Sequence, residues 1–461
     1  MKNTIYLFLG SLFLLECSSP STEENTSFLG GQIIQPSSEF ISLYKYNKRI
    51  DSIRLDENNR FTRRYDSLDY GLFKLEHLPE NELLILEKGD SIWTRINTAD
   101  FDASLVYSGR GAAKNNFLME IVLGLKKEVG FLASKYALNS DAFNQIIDSL
   151  TQEKKQRWIY FSDQSNLSPF AQKVTQAAYV YPYANRRERY ALIRGKENVL
   201  AQDSTYFDFR NFLNYGEIDL AFYEPYVNYM LSYLSQEALE EEKTYFQQRN
   251  TTAFNLRRLQ KIDETINSTV LRNNLARAVA YEELIQFQNH GNHEAFLQYY
   301  FQLNSSPDYL SEIAGLHRAL QFMQKGQPLP PIELQKNNED IVSSTSLRGM
   351  PTVYYFWSQT QMNHYSRTQQ KIKAYQEAYP NYRFVGICIQ PYNDLMREYQ
   401  RAMQIDPTNQ FALVDFEQVS KLWMITLLNK GIITDKNGKI LQGFGNIFSK
   451  AFTEDLKRYH P

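Results

Sequence analysis

The chain holds two cysteines, Cys17 and Cys388, in 461 residues. A disulfide framework is therefore excluded, and stability must come from packing. Charge of one sign is also missing. Fifty Lys and Arg stand against 52 Asp and Glu for a formal net charge of -2, which gives no electrostatic footprint for nucleic acid. No Gly-x-Gly-x-x-Gly unit, phosphate loop or Gly-x-Ser-x-Gly elbow occurs, so nothing points to a dinucleotide, a nucleoside triphosphate or an elbow-type hydrolase. A sustained 34-residue period is absent, which removes the tetratricopeptide reading of the helical stretches. After residue 15 no run is long and apolar enough to span a bilayer.

What is present begins with an export signal. Lys2 supplies a positive start, and Ile5 to Leu15 is an apolar run shorter than the roughly 20 residues of a spanning helix. Cys17 closes that run behind Leu14, Leu15 and Glu16, and the segment 1–17 resembles a lipoprotein signal whose cysteine receives lipid. Glu16 departs from the small residue usual there; the other reading is an ordinary signal cleaved near Ser21. The resemblance implies a cell-envelope protein on a lipid anchor, facing the periplasm or the cell surface. Residues 18–29, opening SSPSTEENTS, read as a flexible tether.

At 461 residues, 43% hydrophobic and 22% charged, the chain should form about three domains. Residues 30–110 alternate with period two in runs such as FISLYKY, NELLILEKGD and SIWTRI, which predicts an antiparallel β-sandwich. Its order, with GDSIWTRIN, resembles the β domain preceding thioredoxin-like domains in envelope lipoproteins; Asp90 and Ser91 are turn formers in this reading. Residues 111–325 change to period 3.6 and predict an α-helical region of antiparallel neighbours. The 32 Tyr and 29 Phe are expected mainly to fill cores and helix seams. GQPLPPIEL, 326–334, reads as a semi-rigid linker.

Residues 326–461 then give strand MPTVYYFW, a helix, strand YRFVGICIQ, a helix, the hairpin GIITDKNGKILQGF and a last helix, an α/β thioredoxin arrangement. With FW, a short loop and a helix, and with Asp435, Gly438 and Ile440 in the hairpin, this part resembles the TlpA/ResA-type envelope thiol-disulfide oxidoreductases. The resemblance implies a Cys-x-x-Cys at the helix N-terminus, where the helix dipole lowers the first thiol's pKa. FWSQTQMNHY instead puts Gln361 at the attacking position and His364 at the resolving one, and Asn429 stands where the family has a cis-proline.

No catalytic residue, cofactor or metal is therefore expected. Cys388, between Ile387 and Ile389, reads as a buried and inert thiol. His364 has Gln361 and Asn363 nearby but no partner to activate it. His290 and His293 have a metal-pair spacing, yet Gly291 and Asn292 signal a turn and no third ligand is evident. Asp-Ser followed by an aliphatic residue or Thr recurs at Asp51, Asp66, Asp90, Asp148 and Asp203; it resembles an O-glycosylation acceptor pattern of some bacterial envelopes and equally suits turns and caps.

These features lead to a non-enzymatic envelope lipoprotein that binds a protein or peptide partner. Its degenerate redox face should carry Trp357, Gln361, Met362, His364 and Tyr365 opposite Asn429, unless these residues pack against the chain's own β domain or helices. The other functional reading is a thiol-disulfide oxidoreductase using Cys388 between molecules.

Overall fold

A computed structural model describes residues 26–460 apart from 78–79, 99–104, 242, 250, 287–292, 360, 393 and 403–404. The signal, Cys17 and His290 lie outside the described residues. Eight strands come first: β1 (Ser27–Ile34), β2 (Phe40–Lys45), β3 (Lys48–Arg54), β4 (Arg60–Tyr65), β5 (Gly71–His77), β6 (Glu80–Leu86), β7 (Ser91–Asn97) and β8 (Val106–Arg110). They form two four-stranded sheets, ordered β4-β1-β7-β8 and β3-β2-β5-β6. Inward side chains from both, including Leu29, Ile41, Phe73, Leu84 and Ile96, make one core. The alternation in β7 is clean: Ile92, Thr94 and Ile96 are buried while Ser91, Trp93 and Arg95 face out.

Two expectations are corrected in this half. The sheets are not wholly antiparallel, because β1 and β7 pair in parallel. A period-two pattern fixes which face a residue takes and is silent on strand direction; the direction here follows from the chain leaving the first sheet and returning to it. The tether is also shorter than expected, since β1 starts at Ser27 and Leu29 is fully buried. Gly31 sits against its neighbour so closely that a Cβ would lie 2.4 Å from the Thr94 carbonyl oxygen.

Among the described residues ten α-helices follow: α1 (Ala112–Ala133), α2 (Ser140–Gln164), α3 (Pro169–Arg194), α4 (Lys196–Gln202), α5 (Glu224–Glu237), α6 (Tyr245–Gln248), α7 (Thr252–Thr265), α8 (Thr269–Gln286), α9 (Glu294–Leu303) and α10 (Pro307–Phe322). Asn139 and Ser168 cap α2 and α3 by accepting from the N–H of Ala142 and Ala171. The sequence pattern ends a helix at Tyr181, before Pro182, but α3 runs on to Arg194. Burial of Tyr183, Ala184, Tyr190, Ala191 and Leu192 beyond the proline outweighs an interruption worth about 3 kcal/mol. Conversely, the stretch EPYVNYMLSYLSQEALEEEKTYFQQ, 224–248, has the pattern of one continuous helix, yet the helix breaks after Glu237. A new turn opens at Thr244, whose side chain and that of Gln247 form a reciprocal cap. Tyrosines supply much of this core: Tyr190, Tyr206, Tyr226 and Tyr229 are all buried.

The β half is bolted to the helices through a buried polar cluster. Lys114 in α1 places its Nζ 2.6 Å from Glu87 and 2.7 Å from Asp90, and Ser168 at the start of α3 donates to the other Glu87 oxygen. Gly111, at φ +90°, has no room for a Cβ beside the Asp90 carboxylate. The Gly-Asp-Ser turn thus has a structural partner in the helical region.

The remaining sheet has seven strands: β9 (Glu333–Gln335), β10 (Ile341–Ser343), β11 (Thr352–Trp357), β12 (Arg383–Cys388), β13 (Gln410–Leu413), β14 (Lys430–Thr434) and β15 (Ile440–Asn446). Their order is β10-β9-β13-β12-β11-β14-β15, with β11, β12 and β13 parallel to one another, β14 antiparallel to β11, and β15 antiparallel to β14. Helix α11 (Met362–Ala378) follows β11, α12 (Asp394–Ala402) follows β12, α13 (Phe416–Leu422) follows β13, and α14 (Lys450–Arg458) ends the chain. A central β-α-β followed by an antiparallel hairpin and a covering helix is the thioredoxin-like fold. Strands β9, β10 and β13 are additions that the sequence pattern did not disclose, being three or four residues long.

The two faces of this sheet meet different partners. Val353, Tyr355, Trp357, Cys388 and Ile433 pack under α11 and α14. Tyr354, Phe356, Ile387 and Ile432 join the core that runs into the central helices. GQPLPPIEL is accordingly no free linker. Leu329 N–H donates to Gly438, the Ile440 N–H donates to Gln327, and Trp423 Nε1 donates to the Pro330 carbonyl at 2.8 Å. The prolines stop the helix, and their neighbours are sewn to the hairpin.

Candidate functional site

Strand β11 leads into the loop and helix start that the sequence resemblance equates with a thiol site. All six of its residues are buried, so Trp357 at its end enters the interior and is not part of a surface face. Its ring lies 4.3 Å from that of Tyr365 and 6.2 Å from that of Tyr392. Tyr365, also fully buried, faces the sheet from the first turn of α11. Burial pushes its phenol far above the ordinary tyrosine range. The expected face therefore loses both large rings. They pack within the thioredoxin-like part itself, neither against the β half nor against the central helices. A helix start presents successive residues at about 100° intervals, so Tyr365 turns inward and Asn363 turns out, while Met362, three residues before Tyr365, lies half-buried against the same core.

What remains at the surface is Gln361, exposed at the helix entry, with half-buried Met362 and His364. His364 Nε2 lies 2.8 Å from Asn429 Oδ1, in the loop immediately before β14. A side-chain hydrogen bond thus joins the two residues that the sequence resemblance sets at a cysteine and a cis-proline. Phe448 lies edge-on to the His364 ring at 5.9 Å, and Leu427, 67% exposed, projects from the same loop as Asn429. Sequence reasoning missed Leu427 and Phe448; no spacing rule ties either to the helix start.

Cys388 lies on β12 directly beside Trp357 and is completely buried. Burial pushes its thiol up to about 12, and its Sγ contacts Gln390 Oε1 at 3.5 Å. A thiol so placed has almost no thiolate at neutral pH and no path to a second sulfur.

His293 is a structural residue: its Nδ1 sits 2.8 Å from Glu283 Oε1, and the carboxylate also accepts from Asn255 and Thr252. Among the described residues no group of three His, Cys, Asp or Glu side chains is arranged to hold a metal ion. The serines of the five Asp-Ser pairs, Ser52, Ser67, Ser91, Ser149 and Ser204, are all exposed. Asp51 is tied to Arg63, Asp66 to Arg64, Asp90 to Lys114 and Asp148 to Arg187, while Asp203 accepts from Thr205.

The site geometry can be set beside known proteins. No family model and no curated protein matches the chain. Solved structures do. The thioredoxin domain of a thiol-disulfide oxidoreductase from Bacteroides vulgatus is 16% identical, covering 30% of this chain and 99% of that one at a TM-score of 0.25. An exposed lipoprotein thioredoxin of Streptococcus pneumoniae is 16% identical over 28% of this chain and 99% of its own, at 0.22. A SCO1/SenC family lipoprotein from Bacillus anthracis is 16% identical over 29% and 95%, at 0.23. The likeness is one of fold. It spans under a third of the chain, and the fold of that part rests on its own strand order. Among the described residues, no helix is long and apolar enough to cross a membrane.

Proposed function

We propose that this protein is a non-enzymatic lipoprotein of the cell envelope, anchored through Cys17, whose thioredoxin-like part binds a protein or peptide partner. The observation that carries the reading is the hydrogen bond between His364 and Asn429 at positions where the redox family has sulfur and proline. Neither residue forms a mixed disulfide, and Cys388 is fully buried beside Trp357. Half-buried Met362 and His364 at the helix start and exposed Leu427 in the loop that carries Asn429 would offer a partner apolar contact area and hydrogen-bonding groups together. Such a surface suits an extended segment held by one or two side-chain anchors.

A photoreactive side chain placed at Met362 or Leu427 in intact envelopes tests this, with exposed Tyr160 on α2 as the control position. Discrete adducts from Met362 and Leu427, absent from Tyr160, support a binding face. The same adducts from all three positions, or none from the first two, contradict it.

A further inference from the structure

The helical region contains a concavity built from α3, α5, α6, α7 and α8, away from the thioredoxin-like part in sequence. Its volume is about 790 Å³, inside the range of roughly 300–1,000 Å³ typical of small-molecule sites. In a chain whose formal charge is -2, its walls carry three guanidinium groups, Arg189, Arg249 and Arg258, and one carboxylate, Glu282.

That carboxylate is already engaged. Arg258, with only 5% of its side chain exposed, binds Glu282 and donates to Asn255 Oδ1 at 3.0 Å, while its Nε has no hydrogen-bond partner among the described residues. Arg189 and Arg249 pair with no carboxylate among the described residues. Arg249 is held by aromatic faces instead, 4.9 Å from the Phe246 centroid and 5.9 Å from that of Tyr245. Stacking fixes the plane of a guanidinium and leaves its in-plane N–H groups for an anion.

Neutral groups complete the wall. Ser232 Oγ donates to Asn185 Oδ1 at 2.6 Å, which orients the Asn185 amide N–H groups toward other acceptors. Asn228 lies one helical turn before Ser232 on α5. Phe246 is 52% exposed. Unpaired arginines, side-chain amides and hydroxyls, and an open aromatic face match a compact ring that bears hydroxyl groups and one negative charge.

We propose that this cavity binds a sugar acid: its carboxylate on Arg189 and Arg249, its hydroxyls on Asn185, Asn228 and Ser232, and its C–H face on Phe246. The site is independent of the proposed binding face on the thioredoxin-like part, and either holds if the other fails.

Calorimetric titration of the full mature protein tests it with digalacturonate and glucuronate as probes, and with galactobiose and inorganic phosphate as controls. At least one uronate should bind, with galactobiose and phosphate each at least tenfold weaker. Arg249→Gln and Arg189→Gln, both on exposed side chains, should each weaken uronate binding about tenfold with an unchanged melting temperature, as loss of a charge-assisted contact requires. Absence of binding by both uronates overturns the proposal. So does equal affinity for galactobiose, equal or tighter binding of phosphate, or uronate affinity unmoved in both variants.

Discussion

Lys430 opens β14 next to Asn429 and points to the sheet face that meets the central helices, where its Nζ lies 4.7 Å from the Phe444 ring centroid. Among the described residues no carboxylate pairs with it, and burial alone lowers its pKa from the ordinary 10.5 to about 7. At about 1.4 kcal/mol per tenfold change in proton affinity, holding the ammonium in this place costs about 5 kcal/mol. The contact with Phe444 offsets up to about 2 kcal/mol, for a net of about 3–5 kcal/mol. The sign follows from the lowered value. Below pH 7 both folded and unfolded chains carry the proton and the full penalty applies. Between about pH 7 and 10.5 the unfolded chain binds more protons than the folded one, so stability rises with pH. Lys430→Met keeps the length and removes the charge. Urea unfolding of wild type and variant, followed from pH 6 to 10, should show the variant more stable by about 3–5 kcal/mol at pH 6, the advantage shrinking by about 1.4 kcal/mol per pH unit above 7. An advantage independent of pH, or a variant less stable than wild type at pH 6, would refute the reasoning.

Four further outcomes follow from the geometry. Lys114→Ala strands the Glu87 and Asp90 carboxylates and should destabilise the protein by about 3–5 kcal/mol in chemical denaturation. Trp357→Ala should cost about 3–5 kcal/mol as a core deletion, whereas Met362→Ala should stay within about 1 kcal/mol; equal losses by thermal melting would put Met362 in the core. Burial works against the charge of Glu312, but Arg277 and Tyr281 outweigh it and hold the carboxyl below its ordinary range. Arg277→Met should therefore flatten the loss of stability as pH falls through about 4.3. Cys388 should resist thiol reagents in the native protein at pH 8 and react fully in guanidinium; fast native labelling would show that β12 opens.

Much of this architecture was legible in the residues. The period-two runs placed Ile92 and Ile96 inward, the apolar MPTVYYFW marked the central strand, and Asp435 does cap its turn by accepting from Asn437 and Lys439. What stayed hidden depends on contacts between distant segments. The parallel β1–β7 pairing, the passage of α3 through Pro182 and the stitching of 326–334 to the hairpin are all decided by burial against partners far along the chain. At the site, the family resemblance set Gln361 and His364 at the two cysteine positions, but it gave no sign that Trp357 and Tyr365 stack beneath the surface. Lys430 looked like any strand lysine, because a sequence does not tell which face of β14 is dry.

The central claim is that this thioredoxin-like part works without thiol chemistry. Its most direct test is reduction of insulin by dithiothreitol in the presence of the purified mature protein, run beside Cys388→Ser. The account predicts the uncatalysed rate for both proteins. Catalysed turnover by the wild type that disappears in Cys388→Ser would contradict it and make the protein a thiol-disulfide oxidoreductase.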